Sequence, residues 1–346
     1  MPDKEMNREE EKKEEFLPQQ VIARWVECHT PVEIFAQLKE KVFGQDEAIL
    51  QASVLVYSFL KNISKVGVDA KYHFMIEGNS GCGKSTFAKA LEGVVPCPVI
   101  IADASQITAS GYKGVDASDL LRSEELDEWW GAGILILDEL DKLMEPMSSS
   151  SFDNFHRAGL ETFLKILDGG TVLSRDGETS IRTDRLLVIG MGAFAPAKQE
   201  VKKTVRKIGF GELEPYVEEE APSAELSRME MSRFCGSEQF MGRFLTVVHF
   251  KPLGREVYSR IARDTLREIR LIHGRNSAPM TEEEINAIVE EALDSEFGCR
   301  GIRTAVWERF LRFQTVSTKE AVDRLDAESQ ETDRLLRELE RIRVSA

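Results

Sequence analysis

The sequence lacks the features that mark membrane, secreted and zinc-binding proteins. It contains no apolar run of about 18 residues, and Met1 to Glu15 are mostly charged, so we expect neither a membrane span nor a signal peptide. Its five cysteines form no C-x-x-C pair, which argues against a zinc or redox dithiol motif and indicates reduced thiols. These absences predict a cytoplasmic protein with no membrane partner.

The chain also lacks an excess of positive charge, because 45 Lys and Arg residues stand against 60 Asp and Glu residues. The net charge is −15 and the isoelectric point is near 5.0, which argues against a surface that coats DNA, although a local basic channel is compatible with this average. Nucleic acid is therefore the less favoured partner. The chain has no internal repeat, and its 346 residues, 42% of them apolar, are enough for two domains with buried cores.

Residues 78–85, with the sequence GNSGCGKS, match the phosphate-loop pattern G-x-x-x-x-G-K-[ST] between an apolar stretch and a helical pattern. Glycines let successive backbone N–H groups converge on phosphate oxygens, Lys84 adds a point charge, and the Ser85 hydroxyl suits Mg²⁺. The motif predicts binding of ATP with Mg²⁺, and the alternative is a chance glycine turn. The nucleotide-binding candidates in this segment are Gly78, Asn79, Ser80, Gly81, Cys82, Gly83, Lys84, Ser85 and Thr86.

The segment Gly133 to Glu139 has the composition of a buried parallel strand that ends in two carboxylates, which is a Walker B pattern. Asp138 is predicted to hold Mg²⁺ through its water shell. Glu139 is predicted to take a proton from the attacking water or to orient that water. The alternative is an ordinary core strand that ends in a solvated loop.

Apolar stretches separated by helix-length segments predict an α/β fold, with a parallel P-loop sheet followed by a small α-helical domain. Thr281 and Glu284 predict a capping box in the helical part, and Val322, Leu325, Leu336 and Leu339 form an interrupted heptad seam that we interpret as a solvated helix. The predicted divisions are a charged disordered tail (1–20), a large α/β domain (21–250), a small helical domain (251–316) and a charged C-terminal helix (317–346).

The order of these signals resembles the AAA+ ATPases of the Clp unfoldase group, the ClpX family most closely and the HslU family next, from about Lys41 to Val316. The segment Lys41 to Ala48 is similar to the family's box II, which implies that Val42 and Phe43 flank the adenine. On spacing alone these two residues would belong to the core.

The segment GYKG at Gly111 to Gly114 resembles the family's pore loop, in which an aromatic side chain grips a polypeptide in the central channel. The resemblance implies that Tyr112 is the substrate contact, with Lys113 in place of the family's usual valine. Glycines that free a loop and a broad tyrosine ring suit contact with any extended chain. The alternative is an anchoring tyrosine in a tight turn.

Two arginines take roles from the same resemblance. The segment FMGRF around Arg243 is similar to the family's arginine-finger segment, which implies a guanidinium that reaches the γ-phosphate of a neighbouring subunit and assists catalysis together with Glu139 and Lys84. The segment GCRGIR resembles sensor 2 and implies a phosphate contact in cis by Arg300, with Arg303 as the runner-up. Met191 departs from the family pattern at the end of the sensor 1 strand.

The tripeptide Ile208-Gly209-Phe210 matches the segment with which the ClpX family docks on its peptidase, which implies a ClpP-like peptidase partner. An ancestral remnant and a buried turn are the alternatives. No four-cysteine cluster precedes Lys41, so the family's zinc-binding domain is not expected. The resemblance implies a homohexamer that unfolds protein substrates with ATP and Mg²⁺. A nucleic-acid-remodelling AAA+ ATPase and a monomeric P-loop kinase are the alternatives that share this nucleotide motif.

Overall fold

The computed structural model describes residues 17–65, 71–107, 117, 119–144, 163–173, 180–198, 225–274, 280–293 and 298–345. The chain divides into two compact units. The first comprises Met1–Asn79 and Gly83–Pro252, and the second comprises Ser80–Cys82 and Leu253–Ala346. Residues 1–16 lie outside this description, so most of the predicted tail stays a prediction. The first helix already begins at Pro18.

A parallel sheet forms the centre of the first unit. Its strands are β1 (Phe74–Gly78), β2 (Val99–Asp103), β3 (Gly133–Asp138), β6 (Leu186–Gly192) and β7 (Thr246–Phe250), and a separate antiparallel pair is formed by β4 (Thr171–Leu173) and β5 (Ser180–Arg182). The strand order is β2-β3-β6-β1-β7, and β1 and β6 are buried along their whole length. The predicted α/β fold with a parallel sheet is confirmed, and the carboxyl ends of all five strands meet at one edge.

Helices before, between and after the strands complete the described secondary structure. The α3 positions predicted from helical spacing, Ala48, Ala52, Leu55, Val56 and Phe59, are all buried, as expected for an amphipathic helix. None of the described helices is long and apolar enough to cross a membrane. The α-helices are α1 (Pro18–Cys28), α2 (Pro31–Lys41), α3 (Asp46–Ile63), α4 (Lys84–Glu92), α5 (Glu124–Glu128), α6 (Leu140–Met144), α7 (Arg228–Cys235), α8 (Glu238–Met241), α9 (Arg255–His273), α10 (Glu282–Leu293) and α11 (Cys299–Ser345). Residues 163–168 and 195–198 are also helical, and Ala104–Gln106 and Asp119–Leu121 form short 3₁₀ helices.

The second unit has its own apolar core, built by α9, α10 and α11. The predicted capping box at the start of α10 is confirmed, because the Glu284 N–H donates to Thr281 Oγ1 and the Thr281 N–H donates to the Glu284 carboxylate. Helix α11 runs without a break through the predicted boundary between residues 316 and 317. Its seam residues Val322, Leu325 and Leu336 are exposed.

A buried histidine ties the sheet to the helical residues 163–168. His73 Nδ1 accepts the Val188 N–H of β6 at 3.0 Å, so the ring hydrogen lies on Nε2 and donates to the Leu167 carbonyl at 3.1 Å. Burial lowers the pKa of His73 to about 4. Protonation would put a second donor against the Val188 N–H, so the folded protein holds this ring neutral.

We therefore expect acid to destabilise the fold through His73. Between about pH 6.5 and about pH 4 the unfolded chain binds a proton that the folded chain does not, so the free energy of unfolding falls as the pH is lowered, by up to about 1.4 kcal/mol per pH unit. Urea titrations of the parent and of His73→Gln across this range would measure the difference. If the free energy of unfolding depended on pH equally in the two proteins, the assignment of this effect to His73 would be contradicted.

Candidate functional site

The phosphate loop joins β1 to α4 at the edge where the strands end. Gly81 and Gly83 have φ values of 74° and 103°, in the left-handed region that glycine enters without strain. Lys84 opens α4, and its Nζ donates to the carbonyl oxygens of Gly78 at 2.5 Å and Asn79 at 3.1 Å. The loop thus wraps around its own cation at a helix N-terminus, an arrangement that binds phosphates in other proteins.

The Walker B carboxylate reaches the phosphate loop from a strand that is not adjacent to β1. Ser85 Oγ donates to Asp138 Oδ2 at 3.1 Å, and Asp138 Oδ1 accepts the Glu139 N–H at 3.0 Å. A hydroxyl and a carboxylate are hard oxygen donors of the kind that Mg²⁺ prefers, with phosphate oxygens and waters as its remaining ligands. Within the described ranges no three His, Cys, Asp or Glu side chains cluster as a complete protein-only metal site.

Glu139 occupies a strained position at the exposed end of β3. Its φ is 56°, which is uncommon for a residue with a side chain and is typical of functional sites. The next turn is fixed by buried Asp141, whose Oδ2 accepts the Phe194 N–H at 3.0 Å. A Cβ on Gly192 would lie 2.7 Å from Asp141 Oδ1, so only glycine fits there. These contacts hold the turn that carries Glu139 against the end of β6.

The two predicted adenine contacts differ in their surroundings. Val42 is 1% exposed, and its Cγ1 lies 3.7 Å from where a Cβ on Gly83 would stand, so it packs beside the phosphate loop. Phe43, the next residue, is half-buried. Gln45 holds this segment in place, because its side-chain amide exchanges two hydrogen bonds with the backbone of Lys251 just after β7. The contact of Val42 and Phe43 with an adenine base stays a prediction.

Arg243 makes a bidentate ion pair within its own chain. Its Nε and Nη2 donate to the two carboxylate oxygens of Asp168 at 2.9 and 3.1 Å, and Nη1 donates to the Gln239 carbonyl at 2.7 Å. The guanidinium lowers the pKa of Asp168. An open cleft of about 380 Å³ lies beside this pair and is also lined by Lys71 and Arg228. The planar fork of Arg243 is therefore held in one orientation at the surface.

The other predicted sensor residues are placed as follows. Arg300 is exposed on α11 in the second unit, whereas Arg303, the runner-up, pairs with Glu268 of α9 at 2.6 Å. Met191 is completely buried within β6, so its side chain belongs to the core. Tyr112 and Lys113, as well as Ile208, Gly209 and Phe210, lie outside the described residues and stay predictions.

A group of polar side chains that the sequence reasoning missed lies behind the phosphate loop. Glu77 of β1 is buried, and its carboxylate contacts Lys198 and His249. A lone acidic residue at the fourth position of an otherwise apolar strand could have drawn attention, because buried carboxylates require partners. The identity of those partners depends on the strand order and could not be deduced from spacing.

Comparison with known proteins agrees with this geometry. The family model described as AAA domain (Cdc48 subfamily) matches residues 69–247. The ATP-dependent Clp protease ATP-binding subunit ClpX 3 of Methylococcus capsulatus is 28% identical, over 86% of this chain and 80% of that protein. The ATP-dependent Clp protease ATP-binding subunit ClpX 2 of Wolinella succinogenes is 28% identical, over 79% of this chain and 74% of that protein.

Proposed function

Because the chain belongs to the AAA domain (Cdc48 subfamily) family and is a ClpX-like AAA+ ATPase, we propose that it unfolds or remodels proteins by threading them through the pore of a homohexamer. The observation that carries this proposal is the share of the chain that is similar to ClpX. The similarity covers 86% of the chain in one relative, well beyond the matched segment 69–247, and so includes sequence outside the nucleotide domain.

Hydrolysis of ATP, with Mg²⁺ as its counterion, is proposed to supply the energy. Lys84 and the loop N–H groups bind the phosphates, and Ser85 and Asp138 hold Mg²⁺, a division of labour supported by the 3.1 Å contact between their side chains. Glu139 accepts a proton from the attacking water or orients it. Val42 and Phe43 contact the base, and Arg300 contacts phosphate in cis.

The remaining catalytic group, Arg243, would act across the interface between two protomers of the proposed homohexamer. Each protomer offers Arg243 to the nucleotide of its neighbour, so the ring closes through heterologous contacts and turnover requires that ring. Tyr112, with Lys113 beside it, grips the polypeptide in the central channel. A ClpP-like peptidase that docks on Ile208, Gly209 and Phe210 would receive the unfolded chain.

The decisive test of the function is substrate capture. In a Glu139→Gln background, where ATP is held, labelled casein serves as an unfolded polypeptide probe. Adding Tyr112→Ala is expected to weaken casein capture about tenfold or more, because truncating a tyrosine anchor costs on the order of 2 kcal/mol. Fluorescence anisotropy in ATP and in ADP measures the capture, and ATP binding should not change.

Tyr112→Phe is the matched control, since it keeps the ring and should keep the capture. Casein capture that is unchanged by Tyr112→Ala would contradict the pore-loop role of Tyr112. Salt-sensitive binding of single-stranded DNA in place of casein would overturn the proposal and favour a nucleic-acid-remodelling ATPase.

A further inference from the structure

Glu77 is a buried carboxylate at the root of the phosphate loop. Its side chain is 3% exposed and it directly precedes Gly78. Lys198, in the helical residues 195–198 after β6, forms an ion pair with Oε1, and His249 Nδ1 of β7 lies 3.0 Å from Oε2. Strands β6 and β7 flank β1 in the sheet. Strands β1 and β7, with the helical residues that follow β6, therefore bring one acid and two bases together just behind the loop.

Lys198 also touches the phosphate loop itself. Its Nζ donates to Asn79 Oδ1 at 3.0 Å, while the side chain as a whole is only 14% exposed. An ammonium has three N–H donors, so Nζ can keep Glu77 and still bind other acceptors. Lys84 donates to the carbonyl oxygens of Gly78 and Asn79, so two lysines from different elements converge on this short segment of loop.

We propose that Lys198 is a phosphate-binding residue that distinguishes ATP from ADP, and that Glu77 positions it. A largely buried ammonium beside Asn79 is suited to a phosphate oxygen, because charge-assisted hydrogen bonds strengthen where water is excluded. Glu77 holds the long lysine side chain in place through Oε1, while His249 Nδ1 remains the partner of Oε2 when Nζ binds the nucleotide. Since Lys198 acts on the nucleotide of the ATPase site, its role rests on the proposed function and deepens it.

Equilibrium binding of fluorescent ATP and ADP analogues tests this role. Glu139→Gln is present in every variant to stop turnover. In this background Lys198→Met is expected to weaken the affinity for ATP about tenfold or more, as for the loss of a hydrogen bond to a charged group. The affinity for ADP should fall much less. Lys89→Met, which removes an exposed lysine of α4, is the matched control and should change neither affinity.

A second pair of variants separates phosphate binding from simple neutralisation of Glu77. Lys198→Met leaves Glu77 without its lysine and should lower the midpoint of thermal unfolding, whereas Glu77→Gln with Lys198→Met removes both charges and should restore much of that midpoint. The ratio of ATP to ADP affinity should stay low in this double variant and return to the parent value in Lys198→Arg.

Recovery of the affinity ratio in the double variant would show that Lys198 only neutralises Glu77, and would overturn the proposal. So would an unchanged ratio in Lys198→Met, while the parent still binds both nucleotides. A parent that binds neither nucleotide would overturn the proposed function as well, so the two failures can be told apart.

Discussion

Replacing Glu139 by glutamine is expected to slow ATP hydrolysis by about 10²–10⁴-fold, the range that general acid–base groups contribute. Glutamine keeps the size of the side chain but cannot take a proton from water. The groups proposed to bind the nucleotide are unchanged, because Lys84 opens α4 and the Ser85–Asp138 contact does not involve the Glu139 side chain. ATP binding should therefore stay close to that of the parent.

Phosphate release at saturating ATP and equilibrium binding of an ATP analogue together measure this prediction. Lys84→Ala should lose both binding and hydrolysis, since it removes the loop cation. Glu128→Gln, an exposed carboxylate at the end of α5, is the matched control and should behave as the parent does. Hydrolysis by Glu139→Gln at the parent rate would show that another group activates the water.

The nucleotide loop and the sheet could be predicted because their signals are local. Gly81 and Gly83 are required by left-handed backbone angles, and strands buried on both faces, such as β3 and β6, are read as continuous apolar runs. The antiparallel pair β4 and β5 was missed, because strands of three residues are too short to show a period. Local pattern thus predicts long elements and glycine-dependent turns.

Contacts between distant segments explain what the sequence could not predict. Lys198 meets Glu77 only because β6 lies beside β1, and the strand order is not encoded in the spacing of either segment. The partner of Arg243 is 75 residues away in sequence. The strained backbone of Glu139 is likewise visible only in the structure, although its motif had already marked the residue.

Arg243→Ala is expected to lower ATP hydrolysis by about 10³–10⁵-fold, the contribution of an arginine finger supplied in trans, while each protomer still binds ATP. The ion pair with Asp168 bears on this expectation in two ways. It orients the planar guanidinium, and in the isolated protomer it holds Arg243 against its own chain. Asp168→Asn, which weakens the pair but keeps a hydrogen-bond acceptor, should therefore retain far more activity than Arg243→Ala.

Mixing two inactive variants tests whether the finger acts between subunits. Arg243→Ala keeps Glu139 in its own nucleotide site, and Glu139→Gln keeps Arg243. In a mixed ring, an interface that joins the nucleotide site of the first variant to Arg243 of the second should recover hydrolysis, although each protein alone is nearly inactive. The activity of the parent should also fall on dilution, because dilution would dissociate the proposed ring. Mixtures that stay inactive, together with a specific activity independent of concentration, would show that Arg243 acts within its own chain, where the bond to Asp168 already places it.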